Sequence, residues 1–135
     1  MTTWLDMANA VRGRWGTEVT TALSIPTQHD NFDIGPQTAT WARLTLQPAN
    51  SEQLELGAPG TRTFRTIGRF VASLFIPLNA GDATALSLAD SISASFRAQT
   101  VAGVTYLTPT VSAVGRSGDW WQVNIDIPFT TEAQG

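Results

Sequence analysis

The sequence contains no cysteine and no lysine. The first absence excludes disulfides and thiolate metal sites, so the fold must be held by packing and hydrogen bonding, and the compartment is left open. The second makes all eight basic residues arginines. Charge of either sign is scarce: 14% of residues are charged, against about 25% in a typical soluble domain. Much of the surface must therefore be neutral. That suits faces covered by neighbouring subunits, because interface cores are depleted in charge; a Thr-rich surface on a monomer accounts for the same composition. The formal net charge of −3 argues against nucleic acid as the main ligand, since phosphate binding shows as positive domain charge. No run approaches the roughly 18 continuous apolar residues of a membrane span, and Met1-Thr2-Thr3-Trp4-Leu5-Asp6 is not the start of a secretory signal. Neither classical export nor membrane insertion is expected.

What is present is enough for one core. At 135 residues the chain fits a single domain, 1–135, that closes without staples. Trp4, Met7, Ala8, Val11 and Trp15 follow the spacing of one helix face, and Thr3 with Asp6 matches a capping box, which predicts a helix over about residues 3–16 with Gly13 and Gly16 weakening its end. Ala85, Leu88, Ala89, Ile92 and Phe96 repeat the spacing after Gly81-Asp82, predicting a second amphipathic helix. Elsewhere the period is two. Residues 40–47 read as a half-buried strand ended by Pro48, and 53–56 as a short strand before the turn-rich Gly57-Ala58-Pro59-Gly60. A long strand over 61–76 has Gly68 as a bulge or bend and is apolar on both faces, as a central strand is. Residues 104–108, 110–114 and 120–127 complete the strands, the last two joined as a hairpin through residues 115–119. Residues 24–39 read as a long loop and 130–135 as a frayed tail. The expected class is α+β: one mixed, mainly antiparallel sheet with two helices on one face and a β-hairpin arm.

Chemistry is hard to assemble from these residues. The lone His29, beside Asp30 and near Asp33, could ligate a metal, but Asp-Asn-rich stretches are also what turns are made of. No G-x-S-x-G elbow accompanies it. Gly57-Ala58-Pro59-Gly60 is interrupted by proline and lacks the lysine of a phosphate loop. Glu52, Glu55, Asp119 and Asp126 read as solvated edge charges. Neither catalysis nor a cofactor is expected.

The concentrated feature is Arg62, Arg65 and Arg69 along the long strand, with Arg43 on an earlier one. Arginine's planar fork pairs with carboxylates and is enriched at interfaces, although a solvated strand face explains the same spacing. Trp41 and Trp120 fall on the faces turned away from the expected core; they are interface candidates or simply half-buried. Leu54, Leu56 and Phe64 give the Gln53–Arg69 stretch apolar contacts that a free hairpin could not bury alone. The candidate subunit interface is thus Arg43, Arg62, Arg65, Arg69, Trp41, Trp120, Leu54, Leu56 and Phe64, with Gln53–Arg69 as an arm reaching a neighbour.

An ordered set of short pieces resembles the tail terminator-like proteins of long-tailed bacteriophages. It comprises Phe70-Val71-Ala72-Ser73-Leu74-Phe75-Ile76-Pro77, Gly81-Asp82, Ala89-Asp90-Ser91-Ile92 and Phe96-Arg97, then Gly103-Val104, Pro109, Val114-Gly115-Arg116, Trp120-Trp121-Gln122-Val123-Asn124-Ile125 and Pro128-Phe129. The set spans Phe70 to Phe129; residues 17–66 match least. The resemblance implies a homohexameric ring at the head-proximal end of the virion tail, assembled in the host cytoplasm. Its partners would be the tail tube protein and the head–tail connector or neck proteins, with DNA only as passing cargo. Such a ring covers the last tube ring and stops its growth, and none of its residues is catalytic. Another head–tail connector or tube-like adaptor, or a small-ligand binding domain, are the alternatives.

Overall fold

The computed structural model describes residues 4–30, 34–53, 63–78, 83–101 and 103–134. Among them, two helices and seven strands form an α+β architecture around one mixed sheet, in the order β1-β2-β3-β7-β5-β4 with β6 alongside β7. The strands are β1 (Thr27–Gln28), β2 (Trp41–Gln53), β3 (Thr63–Pro77), β4 (Thr100–Val101), β5 (Val104–Tyr106), β6 (Thr110–Ser117) and β7 (Trp120–Gln134). Only the β1–β2 pair is parallel among those described.

Helix α1 (Trp4–Trp15) buries Met7, Ala8, Val11 and Trp15. It runs on into a π-helical segment, Gly16–Thr21, which buries Val19. Neither Gly13 nor Gly16 stops it: both have open space where a side chain would stand, so the glycines sit where nothing needs packing. Trp4, expected on the core face, is 56% exposed at the first position of the helix. The cap residue Thr3 lies outside the described residues. Helix α2 (Ala83–Phe96) buries Ala85, Ala89, Ile92, Ser93 and Phe96, with Ser87, Asp90, Ser91 and Ala94 outward. It ends with Ala98 in the left-handed region (φ 55°) and Arg97 N–H donating to Ser93 O, a helix-terminating geometry usually given to glycine. The Gly81-Asp82 start lies outside the described residues.

Register explains the burial. Leu44, Ala72 and Ile125 are cross-strand partners, as are Leu46, Phe70 and Ile127, so these rows share one face. That face meets Met7, Val11, Trp15, Ile92 and Phe96 in one core cluster. At its centre Phe70, Phe96 and Tyr106 pack edge to face, with centroids 5.3 Å (Phe70–Phe96) and 5.0 Å (Phe96–Tyr106) apart. Trp15 joins them and donates from Nε1 to Thr27 Oγ1 at 2.8 Å, tying α1 to β1.

Three strand boundaries differ from expectation. Pro48 does not end β2: the strand continues to Gln53 through a bulge between Pro48 and Asn50. The N–H groups of Ala42 and Leu46 both point away from β3, to Pro26 O and Asp30 Oδ2. Pro48 has the same parity, so its missing donor falls on the outer edge, where proline costs no ladder bond. Consequently the strand expected over 40–47 extends to Gln53, and residues 54–56 of the expected short strand lie outside the described residues. Gly115 belongs to β6, not to the turn; at φ 99° it follows a second bulge, and the turn is Gly118-Asp119. Residues Thr130–Gln134 are not frayed but paired with β3 to Thr63. Gly68 lies opposite the β2 bulge in straight β3 pairing, under the ring of Phe129.

Candidate subunit interface

The sheet face away from the helices carries the described members of the expected interface. Trp41, Phe75 and Gln122 are register partners, followed by Arg43, Ser73 and Asn124, then Thr45, Val71 and Asp126, then Gln47, Arg69 and Pro128. Cross-strand neighbours on one face interact directly. Trp41 stacks on Phe75 with centroids 4.3 Å apart, and Trp120 meets Trp41 edge-on at 6.3 Å. Arg43 also lies over Phe75, its Cζ 5.3 Å from the ring centroid. Phe75 is thereby buried, while Trp41 and Trp120 are half-buried and Arg43 is exposed. Among the described residues no carboxylate forms an ion pair with Arg43.

The other arginines are already engaged. Arg69 donates from Nε to Gln47 Oε1 (3.0 Å) and pairs through Nη1 with Asp126 Oδ2 (3.2 Å). Arg65 lies 3.5 Å from Glu132, an exposed pair. Residues 63–69 are hydrogen-bonded on both sides, to β2 and β7, within the protomer's own sheet. The backbone of Phe64 pairs with Gln53 and Ala133, but its side chain, and Leu54, Leu56 and Arg62 entirely, lie outside the described residues.

Elsewhere the polar groups serve structure. Asp30 accepts the Leu46 N–H, and Asp33 lies outside the described residues. The His29 imidazole is pushed below its ordinary value by burial and by the Arg12 charge, with Asp30 opposing. Arg14 pairs with Glu18 at 2.9 Å, donates to Ser95 O and stands beside Phe96, joining α1 to α2. A groove of about 490 Å³ runs past Asn9, Gly13, Arg14 and Val101. Among the described residues its one charged lining group is this committed arginine.

Sequence reasoning missed Phe75 as the platform for Trp41 and Arg43, although its alternation placed it on that face. It also missed the exposure of Leu107, Val111 and Val114. The signal was available: no charged residue occurs between Arg97 and Arg116.

A family model described as phage tail terminator protein matches residues 6–129. The chain belongs to the phage tail terminator family. Two of the solved structures that share its fold do so at low identity. One, whose own name states no function, has a TM-score of 0.67 and 14% identity, covering 93% of this chain and 95% of that one. The other, from the virion of a native gene transfer agent particle, has a TM-score of 0.54 and 18% identity, covering 98% and 100%. Among curated proteins none matches. The terminator assignment makes the chain a structural tail protein.

Proposed function

We propose that this terminator caps the head-proximal end of the tail tube as a ring of six copies, ends tube polymerisation and offers the neck proteins a joining surface. The family match over residues 6–129 carries the reading. The composition agrees with it, since a subunit enclosed by neighbours needs little charge. DNA would pass through the ring as cargo, which a chain of net charge −3 would not hold tightly. The work is done by surfaces alone, with no catalytic residue or cofactor, and assembly takes place in the host cytoplasm. We assign Arg43 and its Trp41–Phe75 platform to meet a neighbour's carboxylate, and residues 53–62 of the expected Gln53–Arg69 arm to reach that neighbour.

The experiment is a phage or particle lacking this protein, viewed by negative-stain electron microscopy. Tubes of uncontrolled length that fail to join heads are expected, with length and joining restored by the supplied chain. Tubes of normal length on unjoined heads would instead assign it to the connector, and absence of tubes to the tube itself.

A further inference from the structure

The sheet is finished differently on its two sides. Along β2, β1 covers Ala42 and Arg43, the Asp30 carboxylate takes the Leu46 N–H, and Pro48 has no N–H to offer. Along the other side, β6 is paired only with β7 among the described residues. Thr110 to Val114 are all exposed, Val111 at 38% and Val114 at 52%. No charge and no proline interrupts the strand before Arg116. Exposed edges are ordinarily blunted by such devices, and an apolar edge without them is a template for another strand.

We propose that β6 pairs antiparallel with β6 of a second copy of this chain, about a two-fold axis at Ser112, joining two sheets into one. The occupant follows from the edges available. Among the described strands β1 and β4 have two residues each, and the outer edge of β2 is taken up at Ala42, Arg43 and Leu46 and lacks an N–H at Pro48, so β6 is the longest apolar edge without such interruptions. A symmetric pair satisfies both copies with one surface. The sequence complements itself about that axis: Thr110 faces Val114 and Val111 faces Ala113, while Arg116 lies beyond the bulge and away from its own copy, so no like charges meet. Val111 and Ala113 are register partners of Ile125 and Val123, so the apolar row beneath the helices continues across the joint. This pairing belongs to the free protein and does not rest on the tail-capping reading.

The test uses the full chain. Ser112→Cys introduces the only thiol in the sequence, and directly opposed strand residues lie within disulfide reach. Mild oxidation should give a covalent dimer, while Ala94→Cys on the exposed face of α2 should not. Sedimentation equilibrium from micromolar to millimolar protein should show a monomer–dimer equilibrium. Ser112→Lys and Ser112→Asp should each raise its Kd by about 100-fold or more, because like charges then face each other, and an equimolar mixture should restore dimers. Thermal melts of both variants should match wild type. Monomer at every concentration, no Ser112→Cys cross-link, no rescue by mixing, or closed species larger than a dimer that ignore Ser112→Lys would each overturn the proposal. Tail capping measured on the same variants is a separate readout, so loss of one reading leaves the other standing.

Discussion

Gly68→Ala isolates one close contact at the centre of the sheet. Gly68 lies opposite Phe129, and a Cβ added there would stand 2.9 Å from Phe129 Cζ, 3.2 Å from Cε2 and 3.3 Å from Gln47 O. Such clashes are cheap when the obstructing side chain can swing away. Phe129 cannot: it is fully buried, with Phe70 and Tyr106 at centroid distances of 6.5 Å and 6.4 Å, and the Gln47 carbonyl is fixed in the β2–β3 ladder. Overpacking of this kind costs about 1–3 kcal/mol. Replacing glycine gives back about 0.4–1 kcal/mol by restricting the unfolded chain. The net expectation is a loss of about 1–2 kcal/mol, or roughly 5 °C in Tm for a domain of this size. Urea unfolding monitored by tryptophan fluorescence measures it. Phe129→Leu in the Gly68→Ala background should lose less than the sum of the single variants, a coupling of about 1 kcal/mol. A Gly68→Ala protein as stable as wild type, or strict additivity in the cycle, would refute the reasoning.

Tyr106 Oη is buried without a hydrogen-bond partner among the described residues, and burial pushes its pKa up from 10.0 to about 12 against the Arg14 charge. Tyr106→Phe should therefore be neutral or stabilising by up to about 1 kcal/mol in urea titrations. Because the folded pKa is the higher one, the tyrosine's contribution is complete below pH 10.0 and lost as pH rises toward about 12; the Phe variant should lack that component of alkaline unfolding. Trp15→Phe removes the donor to Thr27 and leaves a void under α1, which should cost about 1–3 kcal/mol by the same titration. Arg43→Glu removes an exposed cation over Phe75, so melts should shift by less than about 1 kcal/mol. Tail completion should fall far more than stability; unchanged completion would remove Arg43 from the interface.

The helices and the core face were legible because burial repeats with a period that sequence displays: Met7, Val11 and Trp15, or Val123, Ile125 and Ile127, are buried as their spacing requires. The errors sit where a residue's effect depends on a neighbour along another strand. Pro48 reads as a stop until its nitrogen is known to face outward, and Gly115 reads as a turn until a bulge places it in β6. Residues 130–134 look polar enough to fray, yet Thr131 is buried and donates to Gly103 O at 2.9 Å. At the candidate interface, alternation identified the face of Trp41 and Arg43. It could not reveal that Arg65 and Arg69 find acids on β7, more than fifty residues away in sequence.

The central position of β7 also sets a schedule. It separates β3 from β5 and β6, so the sheet has no middle until residues 120–134 have been made. A nascent chain that has already emitted both helices still lacks Val123, Ile125, Ile127 and Phe129, four of the apolar residues beneath them. Pairings so distant in sequence form late. A half-synthesised subunit therefore has neither a finished core nor a finished β6 edge, and translation itself withholds the protein from premature partners until the last strand arrives.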